Sequence, residues 1–463
     1  MSGFPALHPG NSPGREIAPS LQPRSDQLPA SWYDALSART VVFPTLVFTV
    51  HFAIIQFVAM MALQFGTKSM TYESVRARQG FVSTLEGSWT RIVAPFIQWD
   101  SFWFSYSARS GFRYGTLDQM DRFGSTTDTF WPLLPWLIRS LSAFTSLSPE
   151  IVGFFLVNCC FAGALIILYH LILEEFSVGI ARRALWCLVL FPTSFFFHAV
   201  YTEAPFLLLV TAALLAARKD QWLLAGIVGL LAAMMRSHGV LLILPMLVMF
   251  VDAIRRDRRR WLPGIFFVFL PLIGPLIYGW KWHQAGYSWR SITRLQQQQL
   301  EYGGAPWQSI PCAIRGCTPD VIVHQSWIRA ALPEASWRWF MQLIEHPTWQ
   351  LIASSGWRRQ AAASTSLDVV VALGCLLLVI VGLTKLPLWM NVYLLTLLIA
   401  ALIRTPIDNP FAGMARFALL LFPLAIVLAL LLEDRIVRIL AGSVSLILLV
   451  ALTIQFTNSY WVS

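Results

Sequence analysis

The stretch Val41–Leu63, VVFPTLVFTVHFAIIQFVAMMAL, contains no aspartate, glutamate, lysine or arginine. A helix needs about 20 mostly apolar residues to cross the hydrocarbon core of a bilayer, because each residue adds about 1.5 Å. This stretch is long enough and apolar enough to do so. It therefore predicts a transmembrane helix and decides the fold class.

Similar apolar runs recur along the chain, so the sequence predicts an all-α polytopic membrane protein. They lie at about 130–147, 151–173, 184–200, 203–217, 221–251, 262–282, 367–384, 387–403, 415–432 and 436–455. Only 13% of the 463 residues are charged, compared with about 25% in soluble domains. A soluble enzyme is excluded, and we expect a bundle of about 10–11 transmembrane helices.

Polar segments divide the chain into a tail and a membrane domain. Residues 1–38 are rich in Pro, Ser and Gly and lack the apolar core of a signal peptide, so we expect a disordered cytoplasmic tail. Residues 39–463 form the integral membrane domain. Two long loops interrupt it: 66–127, with an interfacial helix near Ile92–Ser110, and 283–366, which is rich in tryptophan.

The basic residues predict the orientation of the helices. A net charge of +10 could suggest nucleic acid, but the charges form short clusters between apolar runs, which is typical of cytoplasmic loops. We therefore expect membrane lipid, and no nucleic acid, as a partner. The clusters are Arg182-Arg183, Arg218-Lys219, 255–260, Lys385 and Arg435 with Arg438. The loops 66–127 and 283–366 and the turn 404–414 then lie outside.

One segment leaves two topologies open. Arg182-Arg183 can be cytoplasmic only if residues 128–173 cross the membrane once, although two apolar runs are present there. Pro132 and Pro135 disrupt backbone pairing, which favours a re-entrant or interfacial segment at 130–147. The rival topology lets both runs cross and puts Glu203 on the cytoplasmic side.

The cysteines divide into two groups. Four of them lie inside apolar runs, where we expect them to be structural. Cys312 and Cys317 share a polar loop and could form a disulfide in an oxidising compartment or remain a free pair.

Soluble catalytic signatures such as a Walker loop, HExxH or GxSxG are missing, so the candidates are charged residues at apolar positions. Asp100 lies among aromatic residues in Gln98–Trp103, where it could act as a general base or be a chance carboxylate in an aromatic belt. Glu203 follows Tyr201 and Thr202 and could instead cap the next helix.

Two further candidates carry arginines. Arg236 interrupts an apolar run, and its partner would be a lipid phosphate or Glu203. The neighbouring His238 is more often structural than a ligand. The segment Arg404–Arg416 contains Asp408 and could also be a solvated turn.

In the favoured topology, one external surface receives five of these side chains: Asp100, Glu203, Arg236, Asp408 and Arg416. A base beside a phosphate-binding cation suits group transfer from a lipid-phosphate donor to a hydroxyl. A transporter or lipid flippase would also carry intramembrane charges, but it predicts inverted repeats, which the sequence does not display. In a non-catalytic scaffold the convergence would be accidental.

Five short motifs, in order, resemble those of the GPI mannosyltransferase 2 (PIG-V) family and its prokaryotic relatives, which are GT-C type glycosyltransferases. They are Trp99-Asp100 with Gly111-Phe112-Arg113-Tyr114; Phe130-Trp131-Pro132-Leu133-Leu134-Pro135; Phe191-Pro192 through Tyr201-Thr202-Glu203; Arg236-Ser237-His238-Gly239; and Met414-Ala-Arg416-Phe417 with Phe422-Pro423. They extend over residues 99–423, nearly the whole membrane region.

The resemblance implies a GT-C-like bundle and an inverting mannosyltransferase. The donor would be a polyprenyl-phosphate sugar and the acceptor a glycolipid or glycan hydroxyl. Asp100 would be the general base, and Arg236 would contact the phosphate. Trp99, Tyr201, Glu203, His238, Asp408 and Arg416 would surround the substrates, without cofactor or metal.

The chain contains no Asn-X-Ser/Thr glycosylation acceptor. This absence favours a bacterial plasma membrane over the membrane of the endoplasmic reticulum, where a eukaryotic member would lie. A bacterial enzyme would use an acceptor other than GPI.

Overall fold

The computed structural model describes residues 38–66, 88–111, 130–256, 261–284, 357–403, 413–460 and 462. Every regular element within these ranges is a helix, which confirms the all-α prediction. The predictions for the tail, for most of both long loops, for Cys312 and Cys317, and for Asp408 fall outside the described residues.

Several helices have the length and composition of membrane spans, so the chain is a multi-pass membrane protein. Five qualify individually: Thr40–Phe65, Pro149–Leu173, Ser237–Arg256, Gly264–Gln284 and Arg435–Thr457. A sixth is obtained if two helices that meet at 83°, Met414–Leu420 and Phe422–Leu431, form one span. Three shorter apolar helices accompany them: Trp222–Met235, Val370–Lys385 and Leu388–Leu402.

The described residues in the first half of the chain form nine α-helices. These are α1 (Ala38–Phe65), α2 (Trp89–Ile92), α3 (Asp100–Ser110), α4 (Leu133–Thr145), α5 (Pro149–Leu173), α6 (Val178–Val189), α7 (Glu203–Arg218), α8 (Trp222–Met235) and α9 (Ile243–Arg256). Short 3-10 turns at Ala94–Phe96, Ser194–Phe197 and Ser237–Leu242 interrupt them. The predicted interfacial helix near Ile92–Ser110 is therefore broken, and only α3 extends over several turns.

The second half continues in the same way. Its helices are α10 (Trp261–Val268), α11 (Ile273–Gln284), α12 (Trp357–Lys385), α13 (Leu388–Ile403), α14 (Met414–Phe417), α15 (Phe422–Leu431) and α16 (Arg435–Thr457). The 3-10 turns Leu270–Leu272 and Ala418–Leu420 join neighbouring pairs. The last helix ends beside the first, because a Cβ added to Gly66 would meet the side chain of Asn458.

The predicted cytoplasmic basic residues gather at one end of the bundle, here called the basic end. Its ion pairs are Arg218–Glu175, Lys219–Glu174 and Arg256–Asp220, with N–O distances of 2.7, 3.0 and 3.8 Å. Arg183 Nε also donates to the carbonyl of Ala429 at 3.0 Å. The positive-inside rule assigns this end to the cytoplasm and the opposite end to the exterior.

Helix α4 lies at the end opposite the basic end and does not cross the bundle. It has 13 residues, about 20 Å. The ring of Phe130, just before it, packs on Phe104 of α3 at 4.8 Å. Just after it, Glu150 at the start of α5 accepts from Arg109 of α3 at 2.6 Å. The residues just before and just after α4 thus contact the same helix, α3, as the single-crossing topology requires.

Breaks in three apolar runs bring polar backbone into the protein interior. Arg236 is extended (φ −151°, ψ 147°) between α8 and its 3-10 turn. The run 184–200 leaves helical geometry after Val189, and the run 415–432 bends between α14 and α15. A broken helix is tolerated at membrane depth only where protein or a water-filled cavity satisfies the backbone.

A buried chain of polar side chains attaches α1 to the core. His198 Nε2 and His51 Nδ1 share a hydrogen bond of 2.8 Å. His51 Nε2 contacts Ser194 Oγ at 2.9 Å, and His198 Nδ1 contacts Asn158 Oδ1 at 2.6 Å. Phenylalanine rings surround both imidazoles. Hydrogen bonds between helices, isolated from water, fix the alignment of α1, α5 and the turn Ser194–Phe197.

Small residues on α8 allow other backbones to approach closely. A Cβ on Gly239 would lie 2.3 Å from the backbone of Ala232 and Ala233, and one on Gly274 would lie 2.6 Å from the Cβ of Ala233. Interfaces rich in small residues are typical of membrane helix packing. This contact fixes the chain on both sides of Arg236.

We predict that Gly239→Ala destabilises the folded protein by about 3 kcal/mol or more, because the backbone of α8 must move to admit the methyl group. The matched control is Gly374→Ala, whose Cβ would meet nothing within 4 Å. Alanine there should be neutral or stabilise α12 by up to about 1 kcal/mol. Thermal unfolding followed by size-exclusion chromatography measures both, and a Gly239→Ala protein as stable as the control would contradict the packing.

The orientation of α4 can be tested with single cysteines in a protein whose native cysteines are replaced. Thr145→Cys at the exposed end of α4 should react with a membrane-impermeant maleimide added outside. Asp252→Cys, exposed beside the basic end, should react only from the cytoplasmic side. Labelling of Thr145→Cys only from the cytoplasm would support the rival topology.

Candidate functional site

The segment before α3 places Asp100 at the first position of that helix. The preceding residue, Trp99, has φ +52°, a conformation that costs about 1–3 kcal/mol in a non-glycine residue. Trp99 Nε1 donates to the carbonyl of Tyr460 at 3.2 Å, and the backbone N–H of Asp100 donates to Tyr201 Oη at 3.1 Å. These contacts stabilise the turn and hold the Asp100 carboxylate at the end opposite the basic end.

Four charged side chains alternate in sign along a continuous chain, which we call the charge ladder: Asp100, Arg416, Glu203 and Arg236. Arg416 Nη1 donates to Asp100 Oδ2 at 2.9 Å, and Arg416 Nε forms an ion pair with Glu203 Oε1 at 2.9 Å. Arg236 Nη1 donates to the same Glu203 oxygen at 2.5 Å and to Thr202 Oγ1 at 2.9 Å. The ladder joins α3, α7, the end of α8 and α14.

Glu203 is the most enclosed member of the ladder, with none of its surface exposed. A carboxylate removed from water must be compensated by nearby cations and hydrogen bonds, and two guanidinium groups supply this compensation. Thr202 precedes α7 without a capping hydrogen bond from its side chain, and its hydroxyl accepts from Arg236 instead. Of the two partners predicted for Arg236, the structure contains Glu203.

Aromatic rings hold Arg416 in its bridging position. Its guanidinium carbon lies 4.8 Å from the ring centroid of Tyr201 and 5.7 Å from that of Phe196. Cations bind favourably near the faces of aromatic rings, more strongly where water is excluded. The hydroxyl of Tyr201 accepts from the backbone of Asp100, so one tyrosine contacts both members of the Asp100–Arg416 pair.

The remaining predicted site residues lie at different distances from the ladder. His238 is buried, and its ring packs on Phe417, the residue after Arg416, at 4.9 Å. Trp99 precedes Asp100 and contacts Tyr460. Asp408 lies outside the described residues. The structure thus brings together four of the five charged residues predicted to share a surface.

Two residues that sequence reasoning missed contact the chain beside Arg416. Asp368 accepts from the backbone N–H groups of Gly413 and Ala415, and Thr193 Oγ1 donates to the carbonyl of Ala415 at 2.7 Å. The available signal was an aspartate at the second position of the apolar run 367–384. At the edge of an apolar run, an aspartate has the same sequence pattern as an ordinary solvated residue at a helix end.

The arrangement assigns different chemistry to its two acids. Both oxygens of Glu203 are enclosed, and Oε2 has no hydrogen-bond partner among the described residues. The Asp100 side chain is 30% exposed and, within the described chain, Arg416 binds only one of its oxygens. Asp100 can therefore reach a substrate, whereas Glu203 serves as the internal counter-ion of two arginines. The described residues contain no group of three or more His, Cys, Asp or Glu side chains suited to a metal ion.

Comparison with known proteins found no matching family model and no matching curated protein. Function is therefore inferred from the ladder, from its place in the bundle and from the short motifs of the sequence.

We predict that Glu203→Gln destabilises the protein by about 3–5 kcal/mol, because it leaves Arg236 and Arg416 buried without their shared counter-ion. Glu433→Gln makes the same chemical change at an exposed position and should leave the stability unchanged. Thermal unfolding in one detergent compares the two variants. Equal stability would mean that the ladder does not depend on the charge of Glu203.

Proposed function

We propose that this chain is a GT-C type membrane glycosyltransferase related to the GPI mannosyltransferase 2 (PIG-V) family. It would transfer a mannosyl or other hexosyl unit from a polyprenyl-phosphate-sugar donor to a hydroxyl of a glycolipid or glycan acceptor, with inversion. The observation that carries the proposal is the charge ladder. It presents one accessible carboxylate and two arginines at the bundle end opposite the basic end.

The fold supports a site on the extracytoplasmic side of a membrane. Five or six of the described helices are long and apolar enough to span a membrane, and a GT-C-like bundle of about 10–11 passes is part of the proposal. Glu203 lies at the same end of the bundle as Asp100, because Arg416 contacts both carboxylates. The proposed location is a bacterial plasma membrane, with the lipid donor supplied from within the bilayer.

In the proposed reaction Asp100 is the general base. Its Oδ1 atom takes the proton of the acceptor hydroxyl while the hydroxyl oxygen forms a bond to the anomeric carbon of the sugar. The bond between that carbon and the phosphate oxygen breaks, and its electron pair leaves with the polyprenyl phosphate. Attack opposite the leaving group inverts the anomeric centre. Arg416 keeps Asp100 Oδ2 in place, which orients Oδ1 toward the acceptor.

The two arginines supply positive charge for the departing phosphate. A planar guanidinium can bind phosphate through paired hydrogen bonds. Toward Thr202 and Glu203, the only hydrogen-bond partners of its side chain among the described residues, Arg236 uses Nη1, and its other N–H groups are proposed to contact the phosphate. Glu203 limits how far either arginine can move, since it binds both. Preorganised cations of this kind stabilise charge that develops in a transition state.

We predict that Asp100→Asn lowers the rate of sugar transfer by about 10²–10⁴-fold, because an amide cannot accept the hydroxyl proton. The assay uses purified protein, polyprenyl-phosphate mannose and a candidate glycolipid acceptor. The matched control, Asp252→Asn, changes an exposed acid near the basic end and should retain full activity. Near wild-type transfer by a folded Asp100→Asn protein would contradict the general-base assignment.

A further inference from the structure

Asp368 is a fully buried carboxylate in α12, a helix that is otherwise apolar through most of its length. Its Oδ1 atom accepts from the backbone N–H of Ala415 at 2.8 Å, and its Oδ2 atom accepts from that of Gly413 at 3.0 Å. Both N–H groups belong to the turn that opens α14. An acidic residue within a membrane segment is expensive and is by default a functional hypothesis.

The turn at Ala415 is held from a second direction. Thr193, in the break after α6, donates its hydroxyl to the carbonyl of Ala415 at 2.7 Å and is itself fully buried. The N–H and the C=O of one residue are therefore bound by side chains from two different elements. The two contacts fix the peptide groups on either side of Ala415, the second of which joins Ala415 to Arg416, and hence the direction in which Arg416 leaves the backbone.

Gly413 adds a conformational requirement to the same turn. It is the N-cap of α14 with φ +76°, in the left-handed region that favours glycine. Its partly buried backbone N–H donates to Asp368, and a polar group removed from water without a partner is costly. Among the described residues, Asp368 forms hydrogen bonds only with this turn. The hydrogen bonds of this carboxylate therefore act on the turn.

We propose that Asp368 is a positioning residue for Arg416. By fixing the turn Gly413–Ala415, it sets the guanidinium where it reaches Asp100 and Glu203 together. The inference rests on the proposed function for its catalytic consequence, whereas its geometric consequence can be measured without any assay of transfer.

The primary test measures exposure of Arg416 to phenylglyoxal, which modifies arginine, by mass spectrometry of the full-length protein. In the wild type, two carboxylates and two aromatic rings enclose Arg416, so modification should be slow. In Asp368→Asn, one N–H group of the turn faces an amide donor, and modification of Arg416 should rise by about tenfold, as expected for coupled neighbours. Asp368→Glu, which keeps the charge, should restore part of the protection.

The matched control is Asp434→Asn. Asp434 also binds two backbone N–H groups at the start of a helix, those of Ile436 and Val437 at 2.9 Å each, but it lies at the basic end. This variant should leave Arg416 protected. Unchanged protection of Arg416 in a folded Asp368→Asn protein would overturn the proposal.

A second variant tests the turn if Asp368→Asn does not fold. Thr193→Val removes the hydrogen bond to the Ala415 carbonyl without changing charge and should raise Arg416 modification in the same direction, by a smaller factor. Thr211→Val, which removes a buried hydroxyl that bonds only within α7, is its control. Equal protection of Arg416 in both threonine variants would also count against the proposal.

Transfer activity separates the two claims. If the wild type transfers sugar, Asp368→Asn should slow transfer. The double variant Asp368→Asn with Arg416→Lys should be no slower than Arg416→Lys alone, because the effect of Asp368 operates through Arg416. Additive losses would assign Asp368 a structural role only. If the wild type transfers no sugar while Arg416 responds to Asp368→Asn as expected, the proposed function fails and the positioning role stands.

Discussion

The burial of Glu203 is the constraint on which the rest of this structure depends. A carboxylate with no exposure to water would destabilise the fold unless it were paired with cations. Arg236 and Arg416 meet this requirement, although they lie 180 positions apart in the sequence. Their convergence on one oxygen draws α7, α8 and α14 together at one end of the bundle.

The irregular helices follow from this convergence. In an uninterrupted helix, the chain at Arg236 would continue across the membrane and could not reverse toward Glu203. The extended backbone at Arg236 lets the chain cross the membrane and then reverse. The bend between α14 and α15 likewise lets the short helix α14 place Arg416 in contact with Asp100 before the chain continues across the bundle. The polar backbone exposed by such breaks is satisfied locally, as the contacts to Ala415 illustrate.

The sequence was sufficient for the class of fold and for part of the site. Apolar runs of about 20 residues predict membrane helices because bilayer thickness fixes their length. Glu203 was one of the two partners that the sequence predicted for Arg236. The positions of the breaks were less predictable, since hydropathy is the same on either side of them. The interfacial helix expected near Ile92–Ser110 corresponds to α3 and the end of α2, and between them Trp99 departs from helical geometry with a positive φ. Asp368 was missed because its role depends on backbone atoms 45 positions away, which no local pattern encodes.

The most direct test of the account is an experimental structure of the protein with a polyprenyl phosphate bound. The account predicts the phosphate against the guanidinium of Arg236 or Arg416 at about 2.7–3.2 Å, with the lipid chain directed into the bilayer and Asp100 Oδ1 facing open space. A phosphate bound at the basic end among Arg182, Arg218 and Arg256, with the charge ladder sealed from it, would contradict the account.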